Sequence, residues 1–261
     1  MSVLVHAAPA TASPTAALCG GVRSEYTPRH TRPGGTPELT TGTMTDFLFI
    51  RHGETRANVV GRWEGWTDPP LTPAGRRQAE ALADRLTRDR AAAAALYSSP
   101  LIRAHQTAQI IGEHLKLEPQ LVQDLKEIHF GQLEGISVLE MEERFPGLFA
   151  RWQDKGDMAF EWPGGERRGD FFERAAAACE RIGRRHPNAA VIVVAHGGTI
   201  RACLAHLLPD LLRAWWTYKL DNTGVSHVRA AKDGIRLVAL NDVSHLADLD
   251  RYGKRREGGN D

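Results

Sequence analysis

Asp46-Phe47-Leu48-Phe49-Ile50-Arg51-His52-Gly53 reads as a buried strand that ends on a histidine and a glycine turn. Its apolar residues are consecutive from Phe47 to Ile50, the pattern of a strand covered on both faces. The same grammar returns far down the chain in Ala190-Val191-Ile192-Val193-Val194-Ala195-His196-Gly197. Open α/β sheets bind their ligands at the carboxyl ends of the strands. Two imidazoles delivered there by separate strands can meet over one ligand.

The intervening chain alternates helical and extended patterns. Thr72-Pro73-Ala74 opens a helix with a threonine cap and a proline in the first turn, and Ala79, Leu82, Ala83 and Leu86 form its apolar stripe. Ala94 to Ser98 is a short strand, followed by a helix over Pro100 to Leu115 that carries Ile102, Ala108, Ile111 and Leu115. A weaker extended segment spans Leu121 to Ile128. Between Phe130 and Trp162 the pattern loosens into short helices rich in rings (Phe145, Phe149, Trp152, Phe160, Trp162). That stretch, about residues 130–165, reads as a small helical lid subdomain, although plain packing accounts for the rings equally well. A helix over Asp170 to Arg185, the second His-Gly strand and a helix over Gly198 to Leu208 follow. A hairpin of Val225–Ala230 and Ile235–Leu240 turns near Asp233-Gly234. The alternation predicts an α/β three-layer sandwich: a mostly parallel central sheet with helices on both faces.

With 261 residues, 42% hydrophobic and 25% charged, the chain has room for one large domain, expected over residues 44–250. Residues 1–43 are rich in Ala, Thr, Pro and Gly without sustained periodicity, and read as a disordered extension. They lack the basic start and unbroken apolar core of a signal peptide, and Met44 reads as an alternative start. Residues 251–261 read as a flexible tail. Lys and Arg number 33 against 32 Asp and Glu, so no global field recruits nucleic acid or an anionic membrane. No run of 18 apolar residues occurs to span a bilayer. Three cysteines without CxxC spacing fit the reducing cytoplasm better than a disulfide framework. Monomer and homodimer both stay open.

The chemistry-bearing residues lie in four blocks. In Arg51-His52-Gly53-Glu54-Thr55, a guanidinium beside the imidazole disfavours its protonation and leaves a ring nitrogen free to attack a phosphorus held by cations. Taken alone, the block is equally a surface turn. In Ser98-Ser99-Pro100-Leu101-Ile102-Arg103-Ala104-His105-Gln106-Thr107-Ala108, Arg103 stands in the first turn of a helix, where anions gather. In isolation it reads more readily as an exposed arginine paired with an acid. Glu127, in Leu125-Lys126-Glu127-Ile128-His129-Phe130-Gly131, is either a solvated loop residue or a proton donor beside a phosphate dianion. In His196-Gly197-Gly198-Thr199, the glycines turn strand into helix, and His196 either donates to a phosphoryl oxygen or bonds a buried carbonyl.

In this order the blocks resemble the histidine phosphatase superfamily, also called phosphoglycerate mutase-like, from Asp46 to about Leu240. The resemblance implies a mechanism through a phosphohistidine, with no metal and no cofactor. It implies His52 as nucleophile, Arg51, Arg103 and His196 as holders of the phosphoryl group, and Glu127 as proton donor. It places Asn58 in the phosphate pocket, and Thr55, Arg62, Glu64, Gly65 and Gly197 against the substrate. Glu64 departs from the Gln or Thr common in the family. Arg167 replaces a common Ser after Pro163-Gly164-Gly165-Glu166.

The short interval between Glu127 and His196 resembles the compact phosphatase branch. The expectation is therefore a phosphomonoesterase for small phosphorylated metabolites. One rival is a phosphoglycerate mutase primed by 2,3-bisphosphoglycerate. The other is a non-catalytic phospholigand-binding protein, against which the complete residue set argues. A metal hydrolase lacks HxxxH or HExxH pairs here, and its candidate ligands would sit among arginines.

Overall fold

The computed structural model describes residues 45–209, 214–231 and 234–249. The N-terminal extension, the C-terminal tail, Cys19 and Asp233 of the hairpin turn lie outside the described residues. One six-stranded sheet runs in the order β3-β2-β4-β1-β5-β6. The strands are β1 (Asp46–Arg51), β2 (Ala93–Ser98), β3 (Pro119–Leu121), β4 (Ala190–Ala195), β5 (Val225–Ala231) and β6 (Gly234–Asp242). The first four are mutually parallel, and the β5–β6 hairpin joins antiparallel at β1.

Alternation along each parallel strand divides the core. Phe47, Phe49, Tyr97, Val191 and Val193 face α6 (Arg168–Arg185) and α7 (Gly197–Leu207). Ile50, Leu96, Ile192 and Val194 face α2 (Pro73–Arg88) and α3 (Ile102–Leu115). These strands are buried on both sides, which is why they read as unbroken apolar runs. Thr72 caps α2 by accepting the Gly75 N–H at 2.9 Å, with Pro73 at the helix start. Gly53 is required because a Cβ there would lie 2.5 Å from the Gly75 carbonyl oxygen, so the β1 turn and the α2 start touch backbone to backbone.

Several sequence boundaries move. The helix expected from Pro100 starts at Ile102, whose side chain is 41% exposed rather than part of the apolar stripe. Its first free N–H is accepted by Asp68, from the loop ahead of α2, at 2.6 Å. The Leu121–Ile128 segment is not extended: β3 ends at Leu121 and a 3-10 turn occupies Gln123–Leu125. A short helix, α1 (Arg56–Val60), is held by a Thr55/Asn58 capping box.

The 130–165 stretch holds α4 (Val138–Arg144) and α5 (Pro146–Gln153). Ser137 and Glu140 cap α4 reciprocally. Phe160 and Trp162 are core residues, and Phe145, Phe149 and Trp152 pack against them half-buried. Cys179 and Cys203 are buried free thiols. Among the described residues no helix is long and apolar enough to cross a membrane.

Candidate active site

The connection from β1 leads over β4 to β2, whereas that from β4 leads over β1 to β5. Neighbouring strands whose connections diverge leave a crevice at their carboxyl ends. Register pairs Arg51 with Ala195, so the next residues, His52 and His196, emerge side by side. Their ring centroids are 5.1 Å apart at 57°. The sheet itself sets that separation.

His52 is 4% exposed, with Nδ1 2.8 Å from the Gly53 carbonyl oxygen. A carbonyl only accepts, so Nδ1 carries the proton and Nε2 keeps its lone pair. Burial, then the Arg103 and Arg51 charges, push the imidazole well below its ordinary pKa. His196 is fully buried, and the same causes, with His52 added, lower it as well. Its Nε2 lies 2.8 Å from Ser99 Oγ, which also accepts the Leu101 N–H at 3.3 Å. No other acceptor reaches this hydroxyl among the described residues, so its proton goes to Nε2 and Nδ1 is the protonated nitrogen. That nitrogen has no protein partner.

Arg103 is not the exposed arginine its position suggests in isolation. It is fully buried, donating to the carbonyls of Glu64, Gly65 and Thr67 at 2.8–3.0 Å. Arg51 donates to the Leu220 carbonyl at 2.6 Å. The Nε of each guanidinium is buried without a hydrogen-bond acceptor, and Arg103 Nε is ion-paired with Glu64 Oε2 at 4.0 Å. Glu127, 8% exposed, accepts the Ile128 and Gly198 N–H groups on separate oxygens at 3.0 and 2.9 Å. A Cβ at Gly198 would displace this carboxylate, so the missing side chain there leaves Glu127 its place.

The cleft above these groups has a volume of about 420 Å³. Arg51, His52, Asn58, Arg62, Glu64, Glu127 and Gly197 line it, whereas Arg103, His196, Thr55 and Gly65 are buried next to it and are not part of its lining. Arg62 is committed at the rim to Glu140 and the Gly135 carbonyl. Thr55 donates to Glu64 Oε2 at 2.6 Å, and Gly65 serves through its backbone, bonded to Glu134 and Arg103. The Glu64 carboxyl is raised in pKa by burial, and its Oε1 has no protein partner. His129 packs its ring on Trp66, 4.7 Å away, outside the cleft lining. Arg167 pairs with Asp170 and leaves α6 without a side-chain cap.

Sequence reasoning misses the supporting residues. Arg174 donates to the carbonyls of Asp124, Lys126 and Glu127 and is held by Glu166, so the Gly-Gly-Glu block anchors the Glu127 loop. Asn222 donates to the His52 carbonyl at 3.0 Å and to Asn58 Oδ1 at 2.9 Å. Because Asn58 Oδ1 also accepts the Thr55 N–H, its Nδ2 is the end left for a ligand. These pairings join residues far apart in sequence; Ser99, inside a quoted block, was the one within reach.

Neutral buried histidines have a consequence for stability. Besides His52 and His196, His245 is lowered to about 4 by burial and Arg85. Unfolded histidine titrates near 6.5, so below that pH the unfolded chain binds more protons than the folded one. Stability is therefore expected to fall as pH drops from about 6.5 toward 4, with each such histidine contributing a slope approaching about 1.4 kcal/mol per pH unit. Urea midpoints measured at pH 7.5, 6 and 5 check this; a midpoint that does not move would refute it.

Comparison with known proteins follows the same residues. The family model for the histidine phosphatase superfamily, branch 1, matches residues 47–243. The chain is 33% identical to phosphoserine phosphatase 1 of Hydrogenobacter thermophilus, over 79% of this chain and 96% of that one. It is 34% identical to a metal-independent phosphoserine phosphatase of Arabidopsis thaliana, over 79% and 85% of the two chains. Among solved structures, an Entamoeba histolytica phosphoserine phosphatase mutant in complex with phosphoserine superposes with a TM-score of 0.69 at 28% identity. That match covers 77% of this chain and 99% of the other. The sheet order, the paired histidines at its switch point and these matches agree: the chain belongs to branch 1 of the histidine phosphatase superfamily and is a phosphatase.

Proposed function

We propose that the protein is a metal-independent phosphomonoesterase for small phosphorylated metabolites, working through a phosphohistidine on His52. One observation carries the reading: the Gly53 carbonyl fixes the proton on Nδ1, so the free Nε2 of a ring kept neutral belongs to the cleft-lining residue. Arg51 Nε–H, Arg103 Nε–H and His196 Nδ1–H are buried donors that phosphoryl oxygens would satisfy. Nε2 attacks phosphorus as the ester P–O bond breaks, and the leaving oxygen takes a proton from the Glu127 carboxyl. Glu127, now a carboxylate, draws a proton from water as that water attacks phosphorus. The P–N bond breaks, releasing phosphate and neutral His52. The phosphoserine phosphatases among the relatives support a small-metabolite substrate.

The test is a rapid acid-free quench of the enzyme with labelled p-nitrophenyl phosphate in chelator. Base-stable, acid-labile label on the His52 peptide is expected; stoichiometric turnover with no labelled peptide refutes the intermediate. Return of the label to added phosphoglycerate faster than phosphate release would instead mark a mutase.

Glu64 adds a further expectation. A carboxylate beside the bound dianion is repulsive, and its charged fraction grows as pH rises. Glu64→Gln keeps the shape without the charge, so KM is expected to fall roughly fivefold at pH 8 and by less at pH 5. Michaelis constants across that range decide it, and a uniform shift at all pH values would refute the charge argument.

A further inference from the structure

Beyond the phosphoryl end, the cleft opens into a compartment walled by rings, including Trp63, Trp152, Trp162 and Trp215. A leaving group must occupy this space, so its charges indicate what kind of leaving group fits. Arg168 is 3% exposed, and its guanidinium is consumed by the carbonyls of Trp152, Asp154 and Asp157 at 2.6–3.2 Å. Arg201 gives Nε and Nη2 to the Tyr218 carbonyl and holds Nη1 beside Gly197, at the phosphoryl end rather than among the rings. The remaining cation of the compartment is different in kind.

Lys155 lines the cleft half-buried, on the loop that Arg168 staples. Its Nζ donates to the Trp152 carbonyl at 2.9 Å and sits 3.0 Å from the centroid of the Trp152 ring. Among the described residues no carboxylate pairs with it. The charge that acts on it is Arg168, of like sign, and burial followed by that charge brings the ammonium down to about 7. An ammonium in a ring-walled compartment, beside a guanidinium and without a counter-ion, is costly unless something supplies the anion. One N–H of Nζ is taken by the carbonyl and another meets the ring face, so the third is free for an acceptor.

We infer that Lys155 is a specificity residue that reads a carboxylate on the leaving group, so that the preferred substrates are phosphomonoesters of carboxylic acids. This rests on the phosphomonoesterase reading of the same cleft. Carboxylate fits better than a second phosphate, because the free local donor is a single ammonium carrying one charge.

Two matched probe pairs test it: 3-phosphoglycerate against glycerol 3-phosphate, and 4-carboxyphenyl phosphate against phenyl phosphate. Each pair differs mainly by the carboxylate, and the second carries it farther from phosphorus on a ring. In wild type the carboxylate member of at least one pair is expected to lead by about tenfold in kcat/KM. Lys155→Met is expected to bring that ratio close to one through KM, and Lys155→Arg to restore part of it. Absence of preference in both pairs, or a preference that survives Lys155→Met, overturns the proposal. If Lys155→Met fails to fold by circular dichroism, Lys155→Gln is measured by the same ratio. Phosphate release from phenyl phosphate that vanishes in His52→Ala tests the underlying reading separately from the ratio.

Discussion

His52→Ala is expected to end phosphate release, lowering kcat/KM by roughly 10⁴-fold or more. The substitution removes the atom that forms the covalent bond, and no neighbour can replace it. His196 is the nearest imidazole, but its Nε2 is tied to Ser99 and its Nδ1 carries the proton. The fold is expected to survive, because β1 is held by its ladders to β4 and β5 rather than by the ring. The local cost is a small cavity and an unpaired Gly53 carbonyl, about 1–3 kcal/mol. Phosphate release and circular dichroism on one preparation check both parts. Activity within about tenfold of wild type in a folded variant would remove His52 from the mechanism.

Glu127→Gln is expected to divide substrates by leaving group. An alkoxide needs the Glu127 proton, so alkyl esters are expected to lose about 10²- to 10⁴-fold in kcat/KM. p-Nitrophenolate departs unprotonated, and its release from the first step is expected to be nearly unaffected. The second step still needs a base for water, so the phosphoenzyme should accumulate and give a burst of nitrophenolate equal to the enzyme present. Gln must also turn its NH₂ toward the Gly198 or the Ile128 N–H, losing one of two bonds, at about 1 kcal/mol. Stopped-flow absorbance separates the outcomes. Equal losses on both ester types, without a burst, would assign Glu127 to positioning alone.

How much of this was legible in the sequence depends on the range of the interactions. β1 and β4 announced themselves because strands buried on both faces leave unbroken apolar runs, and each ends in a turn residue with no other business in a core. Thr72 and Pro73 marked their helix for the same local reason. The Leu121–Ile128 segment misled because a 3-10 turn buries one residue, Leu125, much as a short strand would. α1 left no stripe, since none of its residues is buried. Arg103 could be recognised by its block, but its burial could not: three carbonyls from the 64–67 loop surround it, and a loop has no periodicity to advertise that. Arg174, Asn222 and Lys155 were invisible for a related reason. Arg174 and Asn222 are bonded across long sequence separations, and Lys155 is distinguished by the partner it lacks.

The two imidazoles hang from adjacent strands, whereas Lys155 and the Trp152 ring it sits on belong to the helical stretch before α6. The reaction and the choice of substrate are thus inherited from different parts of the chain. Insertions, deletions or exchanges in the stretch between Phe130 and Glu166 can recut the leaving-group compartment without moving a strand. Descendants of such a scaffold can change diet while keeping their teeth.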